Sequence, residues 1–178
     1  SYFYTVTVSY DGFDPNEKTE FYSMEDECEK IEQEIRKKHG GSIKAAYGCS
    51  LGGSFVSLLI QRKRIHIEHG IIGSGDMDEA GNLVAKIQAF MVVPFMYKMV
   101  HTGALPKFMQ KKLNKTDEAK KELYNGFLNM FGIGKGGSPW ITKQSIYNQF
   151  YSDLVTKIQH GIDVPGTTIH VFYATKMG

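Results

Sequence analysis

The sequence predicts an α/β fold: a partial parallel sheet with a block of helices inserted between two of its strands. Three observations predict it. Strand-like and helix-like runs alternate from residue 3 to residue 73. A glycine-rich turn, Gly48–Gly53, joins a strand-like run directly to an apolar helix-like run. The alternation then stops for about 80 residues rich in Met, Phe and Tyr, and one more strand-like run follows them.

The elements follow in chain order. Phe3–Val8 is β-branched and aromatic, and the turn chemistry of Asp11-Gly12 and Asp14-Pro15 closes it, so it is expected to be a strand. Met24–Lys38 is expected to be a helix. Ser23 is placed to cap it, Asp26 stands at the capping-box spacing, Cys28, Ile31 and Ile35 share one face, and Gly40-Gly41 stops it. Ile43–Tyr47 reads as a short strand, Gly48–Gly53 as a tight turn, and Phe55–Gln61 as a helix apolar on most sides. Arg62, Lys63 and Arg64 put positive charge at its carboxyl end, where the helix dipole favours it. Ile67–Ile72 reads as a buried strand. Between Glu79 and Gln159 several short helices are expected, divided by Pro94, Gly103, Pro106, the Gly132–Gly137 run and Pro139. Thr168–Tyr173 is the last strand. The domain expectation is a core of 1–78 and 164–178 with a helical cap at 79–163.

The segment that carries chemistry is Gly48-Cys49-Ser50-Leu51-Gly52, a G-x-S-x-G pattern in the strand-to-helix setting that this pattern requires. A sharp turn of this kind holds the serine in a strained backbone conformation and lifts its hydroxyl above the sheet. The chain passes close to itself on both sides, so Gly48 and Gly52 are expected to be needed for lack of a side chain. The amide of Leu51 is left free at the helix start, where the dipole favours a developing oxyanion.

With this elbow, the strand–helix order and the late helical insertion, the chain resembles the α/β-hydrolase superfamily with a cap domain. The resemblance covers nearly the whole chain, and the elbow is its one specific motif. It implies that Phe3–Val8, Ile43–Tyr47, Ile67–Ile72 and Thr168–Tyr173 stand where the family's fourth to seventh strands stand. It also implies Ser50 as the nucleophile and hydrolysis of a small ester or amide without a cofactor. In this family the acid stands after the seventh strand in many members and after the sixth in a minority. Asp76 and Asp78 occupy the second position, where Asp76 is either the acid or the N-cap of the first cap helix. The family's base histidine and its second oxyanion donor have no counterpart here, so the chain is expected to be a stretch of a longer hydrolase. His160 is the nearest candidate base, while His39, His66, His69, His101 and His170 are expected to be ordinary surface or core histidines. The first strand lacks its family neighbour, and strand exchange in a homo-oligomer is one way to fill the gap.

The remaining signals narrow the function classes. A charged fraction of 22% and a net charge of +2 give no ground for nucleic-acid binding. The lysines from Lys107 to Lys121 are diluted by Asp117, Glu118 and Glu122 and read as a solvated helix face. Gly132–Gly137 fits G-x-G-x-x-G but follows a helical stretch, and reads as a cap hinge. No cluster has metal-ligand spacing. Cys28 and Cys49 make no disulfide framework, and Cys49 is expected to point into the sheet packing. The N-terminus has no secretory pattern, and Phe90–Met99, broken by Pro94 and Lys98, is too short to span a bilayer. A cytoplasmic location with no membrane partner is the expectation. Two functions follow: a serine hydrolase with an apolar substrate part, or a non-catalytic domain of the same fold that binds an apolar ligand or a partner through its cap.

Overall fold

The computed structural model describes residues 4–73, 79–107 and 136–172, with positions 110, 111, 115, 121, 122 and 125 between them. It resolves into two units. One contains residues 22–85 and 151–178; the other contains residues 1–21 and 86–150.

The first unit is the α/β part. Helix α1 runs Met24–His39. Ser23 Oγ accepts the amide of Asp26 at 3.1 Å, which satisfies one of the orphan donors of the first turn. Glu25, Asp26 and Glu27 stand at the positive end of the helix and Arg36, Lys37, Lys38 and His39 at the negative end. Gly40 ends it in the left-handed region at φ 62°, as its sequence position suggested. Strand β1 follows at Ser42–Cys49, then helix α2 at Leu51–Arg62 and strand β2 at His66–Gly73. Strand β3 is Thr168–Phe172. The sheet is parallel in the order β1-β2-β3. The register aligns Cys49 with Gly73 and Gly73 with Phe172, so the three carboxyl ends form one edge.

α2 starts at Leu51, four residues before the sequence suggested, because the glycine turn is already helical. Its Val56, Leu58, Leu59 and Ile60 are buried. Gly70 faces α2 at close range: a Cβ there would lie 2.4 Å from Ile60 Cδ1, so the end of that side chain would have to turn aside. α1 is fastened to α2 by a buried ion pair. Arg62 Nε and Nη2 donate to the two carboxylate oxygens of Glu32 at 2.5 and 3.1 Å, and Glu32 is wholly buried. Beside it, burial pushes the Cys28 thiol from its ordinary 9.0 up to about 12.

The second unit is helical. α3 runs Asn82–Thr102 and α4 runs Lys143–Val155, each crossing from one unit into the other along the chain. Ala89 and Val93 of α3 pack with Ile141 and Ile146, and Phe13, Met96, Tyr97, Val100, Tyr147 and Phe150 surround that cluster. Residues 10–21 are a coil tied to this core. Ser145 Oγ accepts the amide of Phe21 at 3.2 Å, and Asn148 Nδ2 donates to the carbonyl of Phe21 at 2.8 Å.

Four expectations change. Tyr4–Val8 has strand-like residues but forms no ladder with any described residue; Tyr4, Val6 and Val8 are exposed, because a strand without a neighbour has nothing to pair with. Pro94 does not divide α3. Proline frees the carbonyl four residues back, that of Phe90, and both Phe90 and Pro94 are exposed, so water can take up that group. The apolar run at 90–99 therefore belongs to a 21-residue helix that is long and apolar enough to cross a membrane by length and composition. Gly137 is not a free hinge: its backbone crosses that of Gly103 so tightly that a Cβ on Gly103 would lie 2.4 Å from Gly137 N. Residues 132–135 lie outside the described residues.

Arg62→Ala should cost about 3 kcal/mol in urea unfolding, because it leaves Glu32 buried without its main partner. The two thiols should separate by reactivity. At pH 8 the exposed Cys49 is alkylated in the folded protein and the buried Cys28 only in denaturant. The Cys28 pKa is raised on folding, so its contribution to stability is complete below pH 9 and is lost between pH 9 and about 12.

Candidate active site

β1 ends at Cys49 and α2 begins at Leu51, so one residue makes the whole turn. That residue is Ser50, at φ 54° and ψ −125°. Positive φ is uncommon for a residue with a side chain, and this combination lies outside the ordinary left-handed region; it costs on the order of 1–3 kcal/mol. Neighbouring bonds hold it there. Ser50 N–H donates to Gly73 O at the end of β2, at 2.8 Å, and Gly53 N–H donates to Ser50 O at 2.8 Å.

A serine before a helix ordinarily turns its hydroxyl back to cap the first amides. Ser50 does not: its side chain makes no capping hydrogen bond, and the residue is exposed. Its hydroxyl is left to the outside at the carboxyl edge of the sheet, where open α/β sheets bind their ligands. Leu51 is the first residue of α2, so its N–H has no acceptor within the helix. Serine hydroxyl and unspent helix amide thus stand at adjacent residues, with the positive end of the helix dipole behind them.

The two elbow glycines differ. A Cβ on Gly48 would lie 1.9 Å from Gly52 O and 2.7 Å from Gly53 N, so β1 can pass the first turn of α2 only with glycine there. A Cβ on Gly52 would meet nothing within 4 Å among the described residues. The expectation that both glycines are sterically required holds for Gly48, whereas no described residue requires it at Gly52. Cys49 is also corrected. It is exposed, because its side of the strand carries no packing layer among the described residues.

Asp76 and Asp78 lie outside the described residues. The histidines are spread along the first unit. His66 is the first residue of β2, seven residues back from the edge that carries Ser50, or roughly 23 Å along a strand. His39 ends α1, next to the turn that leads into the same far end of the sheet. His69 and His170 occupy adjacent strands and meet each other, His170 Nε2 to His69 Nδ1 at 3.2 Å. His160 is exposed in the segment before β3. In the other unit, His101 lies against the ring of Tyr97. The part that sequence reasoning missed is Gly73, whose carbonyl anchors the nucleophile's own amide. A glycine at a strand end was visible, but only the β1–β2 register brings it to Ser50.

No family model matches the chain, and the curated proteins include no match. Among solved structures it is similar to the crystal structure of a protein from Desulfitobacterium hafniense provisionally assigned to the alpha/beta hydrolase family. The TM-score is 0.59 at 14% identity, over 84% of this chain. This chain spans 56% of that protein's length. The likeness shows an α/β-hydrolase-like fold.

The glycine contrast is directly measurable. Gly48→Ala should destabilise the protein by at least about 2 kcal/mol in chemical denaturation, since backbone rather than a flexible side chain blocks the new methyl. Gly52→Ala should change stability by less than about 1 kcal/mol, toward greater stability, because alanine suits a helix better than glycine.

Proposed function

We propose that the chain carries the nucleophile centre of a serine hydrolase acting on a small ester or amide with an apolar part. The observation that carries this reading is the Ser50 backbone. A non-glycine residue is held at φ 54° on a one-residue strand-to-helix turn, with its hydroxyl exposed and not spent on capping. A serine serving only as a turn or cap has no use for that strain. The fold likeness supports the reading at the level of architecture.

The chemistry proposed is acyl transfer. Ser50 Oγ forms a bond to the carbonyl carbon while a base takes the hydroxyl proton. The Leu51 N–H donates to the carbonyl oxygen as it becomes an oxyanion. Collapse expels the alcohol or amine, which receives the proton, and water then releases the acid by the same steps. Asp76 is the proposed acid that orients the base. It stands three residues beyond Gly73, whose carbonyl is bonded to Ser50 N–H. The base is either His160 or a histidine supplied from outside this chain, since His39 and His66 belong to the far end of the sheet and His69 and His170 are paired with each other. The spread of the histidines favours a second reading, a non-catalytic binding domain of the same fold.

A fluorophosphonate serine probe decides between them. The active reading expects labelling of this chain, or of a longer native form that contains it, and loss of labelling in Ser50→Ala. Labelling of the longer form alone assigns the base to the additional segment. Labelling of this chain that His160→Ala abolishes assigns it to His160. An unlabelled longer form would discard the hydrolase reading in favour of the binding domain.

A further inference from the structure

Helix α3 has two faces, and both are apolar. One, with Ala89 and Val93, is covered by Ile141 and Ile146. The other is open among the described residues: Leu83 is 72% exposed, Ile87 51%, Phe90 80% and Met91 63%. These positions recur at helical intervals, so they form one stripe opposite the buried one. Single exposed apolar residues are ordinary, but a contiguous stripe of this size marks an interaction surface.

Charge says what it meets. Between Glu79 and Asp117 there is no Asp or Glu, while Lys86, Lys98, Lys107, Lys111, Lys112 and Lys115 fall in that stretch. Asp117, Glu118 and Glu122 dilute the lysines of its second half, but α3 itself carries Lys86 and Lys98 and no acid. Lys86 and Lys98 are exposed on α3 itself.

We propose that the open flank of α3 docks on an anionic lipid bilayer, lying in the interface and not crossing it. Leu83, Ile87, Phe90 and Met91 enter the boundary between headgroups and acyl chains, and the heads of Lys86 and Lys98 reach the lipid phosphates. The helix is long enough to span. A spanning helix offers its outer surface to acyl chains or to other spanning segments. Here the Ala89–Val93 stripe is covered by Ile141 and by Ile146 of α4, a helix that also carries Lys143, Gln144, Asn148 and Asp153. A second copy of this chain fits less well, because pairing the two flanks would set Lys86 and Lys98 of one copy against those of the other. The inference is independent of the role of Ser50.

Co-sedimentation with phosphatidylcholine vesicles, with and without phosphatidylglycerol, tests it. The protein should partition onto the phosphatidylglycerol vesicles and come off as salt is raised. Phe90→Glu with Met91→Glu should lower partition by about tenfold or more. Lys86→Gln and Lys98→Gln should each lower it about fivefold. These side chains are exposed, so an unchanged circular dichroism spectrum certifies the fold. Equal binding to neutral vesicles, no binding to either, or full binding by the double glutamate variant overturns the proposal. So does light scattering that shows a dimer dissociated by Phe90→Glu.

Discussion

The passage of β1 over the first turn of α2 is the constraint on which the site depends. Gly48 lies against the carbonyl of Gly52 at a separation that leaves no space for a Cβ, so strand and helix are joined through a single residue. That residue takes the whole change of direction and is held at a positive φ that its side chain disfavours. The strain is offset by bonds on either side: the Ser50 amide to Gly73 and the Gly53 amide to Ser50. Close packing of glycine, strain at serine and the register of β1 on β2 are thus one feature.

Behind the turn, α2 is held from both sides. Gly70 opens a place on β2 for Ile60 and Val56, and Glu32 of α1 grips Arg62 at the other end of the helix. A buried ion pair of this kind adds little net stability, because desolvation consumes most of the attraction. It does make displacement costly, since moving α2 away would leave a charge buried alone. The helix that presents the Leu51 amide is therefore fixed at its carboxyl end by charge and along its length by apolar packing.

The helical unit follows a different logic. α3 continues through Pro94 because the affected turn faces water; Ala89 and Val93 are buried with Met96 and Tyr97 beside them, while Leu83, Ile87, Phe90 and Met91 are exposed. Large apolar side chains on the outer face depart from the ordinary arrangement of a water-exposed helix. Which apolar face is covered cannot be read from apolar content alone, because both faces carry apolar residues.

Much of the α/β part was legible in the sequence. Ser23, Asp26 and the Gly40-Gly41 pair marked the ends of α1 through local hydrogen bonding and backbone freedom, which depend on near neighbours only. The elbow was legible for the same reason: Gly48 and Ser50 satisfy steric demands that arise within five residues. The tertiary structure decided what depends on distant partners. Tyr4–Val8 has the composition of a strand, yet a ladder needs a second strand and none among the described residues pairs with it. Glu32, an unremarkable helix glutamate in sequence, is buried because Arg62 arrives from thirty residues away. Gly73 becomes the anchor of Ser50 only through the register of β1 on β2. Local backbone chemistry is encoded where it acts, whereas pairing, burial and the outward face of α3 depend on which segments the folded chain brings together.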